Sequence, residues 1–254
     1  MKRYALSLLA ILASASGGGG CSTRVNVGNS LLWVAQHETG DFTEWTAESK
    51  GGYSADAPDP SVVISTTVAH SGTHSVKLTN AAASVYETAR LWREDAFPEE
   101  AYYSAWFYLP QAYRTTLDWT IMQFNVPPSD DGGSGGQVID VDLRSLPSGD
   151  MILDIFDHRA AYLRSPTAEP ALPVPIARWF QIEVFYRNVG DDTGRFTLWL
   201  DGQVNYDLNR PFGLNSTTYW SPCNSVEGLT PTQSDVYVDD AAVSLVRVGP
   251  AGTL

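Results

Sequence analysis

The sequence predicts an all-β protein built as a two-sheet antiparallel sandwich, and three observations carry that prediction. Short runs of alternating apolar and polar residues recur through most of the chain, each ended by Gly, Pro, Asn, Asp or Ser. No run of ten or more residues has a helical period. Eight Trp and twelve Tyr suit pleated, half-buried surfaces. The strands are expected at 31–36, 61–68, 74–79, 86–94, 101–109, 119–125, 137–143, 151–156, 179–187, 195–200, 203–207 and 235–248. Asp201-Gly202 between two alternating runs predicts a tight hairpin, because both residues tolerate positive φ. Pro147-Ser148-Gly149-Asp150 predicts another turn, and 127–136 and 165–175 are expected to be connecting loops.

The first twenty residues are set apart from the fold. Lys2 and Arg3 precede an apolar run from Tyr4 to Ala15, the layout of a signal peptide and too short to span a bilayer. Residues 1–20 are expected to be a signal peptide, 21–30 a tether and 31–254 the folded domain. Cys21 follows four glycines and is the expected lipidation site of an outer-membrane-anchored lipoprotein. The alternative is a secreted protein cleaved after Ala13-Ser14-Ala15, with Cys21 and Cys223 available to form a disulfide. A formal charge of −13 argues against nucleic-acid partners, and leaves a lipid anchor as the expected route to a membrane.

Three stretches resemble carbohydrate-binding modules and concanavalin-A-like jelly rolls. They are His37-Glu38-Thr39-Gly40-Asp41-Phe42-Thr43-Glu44-Trp45 near the start, Ala69-His70-Ser71-Gly72-Thr73-His74-Ser75 after it, and Val236-Tyr237-Val238-Asp239-Asp240-Ala241 near the end. The middle of the chain resembles strands of jelly-roll polysaccharide lyases and laminin-G-like domains. It includes Tyr102–Pro110, Ala177–Val184 and Gly194–Gly202. The resemblance implies a jelly roll with its first and last strands adjacent. It also implies a structural calcium held by Glu38 and Asp240, with Asp41 as a further candidate ligand and carbonyls from the 71–73 turn, since calcium takes hard oxygen donors.

Breaking a uronic-acid polymer by β-elimination takes a carboxylate neutraliser, a base and a proton donor. The resemblance to jelly-roll alginate lyases gives Gln123 the first role, while Asn125 stands where those enzymes carry His. Arg93 fits their arginine strand, in which Leu91 replaces an acid and Arg90 faces the opposite way. His158 and Tyr186 are candidate replacements for the base. Asp140, Asp142, Arg144, Asp154 and His158 share a hairpin face, expected to be a solvated outer surface or else the floor of a cleft. Gln123, Asn125, Trp106 and Tyr103 are the candidate glycan contacts. No E-x-D-x-x-E strand suggests a glycosidase. The function expected first is glycan binding at the cell surface. A polysaccharide lyase acting on a uronic-acid polymer is the alternative, and a structural envelope protein without activity a third.

Overall fold

The computed structural model describes residues 28–254 apart from 57–59, 82–85, 96, 116, 118, 127–135, 159–161, 165–170, 213–217 and 253. The expected signal peptide, Cys21 and most of the two long loops lie outside these residues. The strands are β1 (Leu31–Ala35), β2 (Gly51–Ala55), β3 (Ser61–Ser65), β4 (Ser75–Asn80), β5 (Glu87–Asp95), β6 (Glu100–Tyr108) and β7 (Arg114–Thr115). They continue with β8 (Trp119–Val126), β9 (Gly136–Ser145), β10 (Met151–Asp157), β11 (Tyr162–Arg164), β12 (Trp179–Arg187) and β13 (Arg195–Leu200). The last are β14 (Gln203–Asn209), β15 (Thr218–Val226), β16 (Leu229–Thr230) and β17 (Ser234–Ser244), and one short helix, α1, covers Thr43–Thr46.

These strands form two large antiparallel sheets. The first runs β14-β13-β12-β6-β17-β4-β3, with β1 added to β17, and the second runs β11-β10-β9-β8-β15-β5-β2. The first and last strands therefore pair, as the sequence predicts, with Ala35 opposite Ala241. At the predicted hairpin, Asp201 and Gly202 take φ of 48° and 80°, the positive values a two-residue turn between twisted strands needs.

The alternating residues of the two inner faces make the core. Phe124 of β8 meets Tyr103 of β6 at 5.2 Å and Tyr186 of β12 at 5.1 Å between ring centroids. Ile139, Val141, Leu143, Leu153 and Ile155 face the same interior. A side chain of this size contributes about 1.5–3 kcal/mol when fully buried. This corrects two expectations. Tyr103 and Tyr186 are core residues, almost fully buried, because their positions in the pleat turn them toward the opposite sheet.

The strands at 51–55, 114–115, 162–164, 218–226 and 229–230 were not among those expected, and the one at 218–226 is central. β15 sits between β8 and β5 although it contains Pro222, which lacks a ladder donor and usually marks an edge. The register shifts between Pro222 and Ser225 against β8, so the proline is accommodated at a bulge.

At the closing strand a second bulge, between Asp239 and Ala242, aims two consecutive acids at the same turn. Asp239 accepts from the backbone N–H of His70 at 2.8 Å, and Asp240 accepts from the Ser71 hydroxyl at 2.9 Å. Glu38 accepts from the N–H groups of Thr73 and His74, both at 2.9 Å. These bonds hold its carboxyl below the ordinary value of 4.5, the Thr73 N–H being the largest cause. Asp41 caps its own loop by accepting from Thr39 and Thr43. Hydrogen-bond donors thus converge on all three acids predicted to hold calcium. Among the described residues no group of three or more His, Cys, Asp or Glu is placed to hold a metal ion. In this arrangement N–H and O–H groups already share the carboxylate oxygens that the expected calcium would take.

Candidate active site

The site is built on the outer face of the second sheet, the face turned away from the first. Cross-strand partners share a face, so the register lists what stands together. Gln123 on β8 lies opposite Ser221 on β15 and Asp140 on β9. One step along, Asn125 lies opposite Tyr219. Thr120, Asp142 and Asp154 form a third row. Arg90 lies opposite Cys223, and Trp92 and Glu94 alternate with it along β5.

Gln123 and Asn125 reach this face because Phe124 between them is locked into the core. Gln123 is 3% exposed and forms part of the floor. Asn125 is half-buried, and its Oδ1 is buried with no hydrogen-bond partner among the described residues, which leaves the amide bonding capacity there.

His158 follows directly on β10, and its Nε2 lies 2.8 Å from Oδ2 of Asp140. The imidazole side chain is 28% exposed. In the neutral ring that donates its Nε2 proton to Asp140, Nδ1 carries the lone pair. Phe156 braces the ring edge-on at 4.7 Å. Because Asp157 pairs with Ile139, His158 stands beside the end of β9 that pairs with Asn125. Tyr219 approaches the same amide from the other side. Its phenol is pushed up to about 12, chiefly by burial, so it stays protonated at neutral pH. An imidazole and a phenol therefore flank the amide pair.

The acidic hairpin is not the solvated surface first expected. Asp140, Asp142 and Asp154 are all buried. Asp154 pairs with Arg144 and accepts from the Tyr206 hydroxyl at 2.9 Å. Asp142 accepts from Thr120 at 2.7 Å. Each acid thus has a polar partner, which lowers the cost of its burial. Cys223 is also buried here, and desolvation pushes its thiol up, which makes it an unreactive floor residue.

Two further expectations are corrected. Arg93 points away from this face: it donates to the carbonyl of Ala47 at 2.7 Å and lies over the Trp33 ring, clamping the opening segment onto the second sheet. Arg90 is the arginine on the site face. Trp106 belongs to the outer face of the first sheet, where it stacks on His70 at 3.7 Å. The register assigns Tyr219, Asp140, Arg90 and Trp92 instead. The sequence places no strand at Tyr219, whose run carries Pro222. The alternation Tyr219-Trp220-Ser221 was the available signal.

Comparison with known proteins agrees with this architecture. A family model described as Polysaccharide lyase matches residues 37–219. The fold is similar to an endo-β-1,4-glucuronan lyase from the fungus Trichoderma reesei, at a TM-score of 0.61 and 13% identity over 86% of this chain and 97% of that one. It is similar to the cellulose induced protein Cip1, at 0.61 and 18% over 85% and 98%. A third likeness is to the PL-14 alginate lyase from Aplysia kurodai, at 0.55 and 13% over 84% and 98%. At these identities the likeness shows the shared fold. A search of curated protein sequences found no match. With a jelly-roll sandwich and a family match over most of its length, this chain belongs to the polysaccharide lyase family.

Proposed function

We propose that the protein cleaves a uronic-acid-containing polysaccharide by β-elimination on the outer face of the second sheet. The observation that carries this reading is His158, oriented by Asp140 at 2.8 Å, on one side of Asn125 and Gln123, with Tyr219 on the other. A uronate ring over β8 presents its carboxylate to the amides, whose N–H groups offset the charge that builds when the neighbouring C5 proton leaves. Nδ1 of His158 takes that proton. The C4–O bond then breaks, a C4=C5 double bond forms, and Tyr219 protonates the departing oxygen. Hydrogen bonding of Asp140, Asp142 and Asp154 lessens the repulsion an acidic substrate would meet.

The test is incubation with alginate and glucuronan while following the absorbance of the unsaturated product. Appearance of that product supports the reading. Binding of either polymer with no unsaturated product rejects it. Glycan binding without cleavage is the second reading, and the buried acids on the site face favour a neutral sugar for it. Retention of a neutral glycan, and not of either uronate polymer, supports that alternative.

The basic residues Lys2 and Arg3, the apolar run behind them and Cys21 support export, with a lipid on Cys21 as anchor. The mass of the mature N-terminus tests this. A diacylated Cys21 is expected, and an unmodified N-terminus after Ala15 would replace the anchor with secretion.

A further inference from the structure

We infer that Trp92 and Arg90 form a sugar-stacking subsite beside the cleavage position that takes an adjoining uronosyl residue of the polymer. The inference rests on the lyase reading for what happens next door, but its own support lies in the second sheet. Trp92 occupies the same cross-sheet row as Gln123. Gly52 is its partner on β2, and Ser221 lies between it and Gln123. Both neighbours are small. The Ser221 hydroxyl turns down to the carbonyl of Leu91 at 2.7 Å, so little side chain rises between the indole and the amide.

Gly52 gives the indole its place. A Cβ there would stand 2.8 Å from Cζ2 and 3.0 Å from Cη2 of Trp92, too close to coexist with the ring. The indole therefore lies across the edge strand, half-buried. Tyr219 runs nearly parallel to it, at 13° with 6.3 Å between centroids. Together the two near-parallel rings give this end of the face an aromatic platform, against which the C–H face of a pyranose can pack.

Arg90 adds charge to the platform. Its guanidinium lies 5.7 Å from the Trp92 ring centroid, and its Nε donates to Ser54 at 3.1 Å. Among the described residues no carboxylate pairs with it. By contrast Arg93, Arg144, Arg187, Arg195, Arg210 and Arg247 each sit against an acid. A half-buried guanidinium with donors to spare beside an aromatic face suits a sugar that carries a carboxylate. Trp92 lies two strand spacings from Gln123, about 10 Å, so the ring it holds is a neighbour of the one being cleaved.

The experiment measures binding and cleavage of alginate and glucuronan by the whole protein and its variants. Trp92→Ala is expected to weaken binding about tenfold and to raise KM more than it lowers kcat, whereas Trp92→Phe keeps most of the affinity. Gly52→Ala, which pushes the indole off its seat, is expected to reproduce the Trp92→Ala loss, and it tests the subsite even if Trp92→Ala folds poorly. Arg90→Gln is expected to weaken uronate polymers more than neutral ones. Wild-type affinity in both Trp92→Ala and Gly52→Ala would overturn the subsite while leaving the lyase reading intact. A wild-type protein that binds these polymers through Trp92 without forming unsaturated product would sink the lyase reading and keep the subsite. Failure of the wild type to bind or cleave either polymer would remove both.

Discussion

Histidine–aspartate pairs occur both at the seam where the chain's two ends meet and on the outer face of the second sheet, and they differ in what the second ring nitrogen does. At the seam, His37 is fully buried. Its Nε2 accepts from the Trp45 indole at 2.9 Å, so its proton lies on Nδ1, which faces Asp239 at 3.3 Å. Both nitrogens are spent. On the site face, His158 commits Nε2 to Asp140 and is partly exposed. The same two residue types thus serve as a clasp in one place and as a candidate base in the other. What separates them is access and a second ring nitrogen that has no partner among the described residues, and neither is a property of the residue pair itself.

The sharpest way to break that comparison is to remove each histidine. His158→Ala is expected to lower eliminative cleavage by about 10²–10⁴-fold with little change in thermal stability, and Tyr219→Phe to act similarly, as loss of a general base or acid does. If His158→Ala keeps full activity, the base lies elsewhere. His37→Ala should do the reverse. It leaves the Trp45 N–H without a partner and takes one hydrogen bond from the buried Asp239 carboxylate, which keeps its backbone donors; the loss is expected to cost about 1–3 kcal/mol, read from a denaturant titration. Activity measured where the variant is still folded should be retained.

A smaller effect concerns Glu38. Its folded-state pKa is lowered, so its contribution is present above the ordinary value of 4.5 and is lost as pH falls through the folded value. Glu38→Gln is expected to flatten the acid limb of stability against pH, and only modestly, since the side chain is 40% exposed. An unchanged acid limb would place the acid sensitivity in other carboxylates. The smallest expected effect is that of a chelator. Because hydrogen-bond donors already engage Glu38, Asp41 and Asp240, EDTA should leave the melting temperature unchanged. A fall of several degrees would restore calcium to the seam.

Local patterning determined a good deal by itself. Alternation placed Phe124 inside and Gln123 and Asn125 together on the opposite face, because the strand period of two is a property of the backbone. Asp201-Gly202 specified its hairpin, because positive φ is a local requirement. The opening and closing motifs implied that the two chain ends meet, and β1 does pair with β17. Alternation also separated Arg90 from Arg93.

Tertiary structure decided which of two equivalent faces the other sheet covers. That choice sent Arg93, Tyr103 and Tyr186 away from the site and brought Arg90 to it. It also turned the Asp140–His158 hairpin face from a solvated surface into the floor of a site. Insertion of β15 between β8 and β5 was decided there too, joining residues 218–226 to residues 87–95 against the local signal of Pro222. A period of two defines a pair of faces but not which one loses its water. That is settled by burial against strands more than a hundred residues away, where the apolar area removed from solvent outweighs the preference of any single residue.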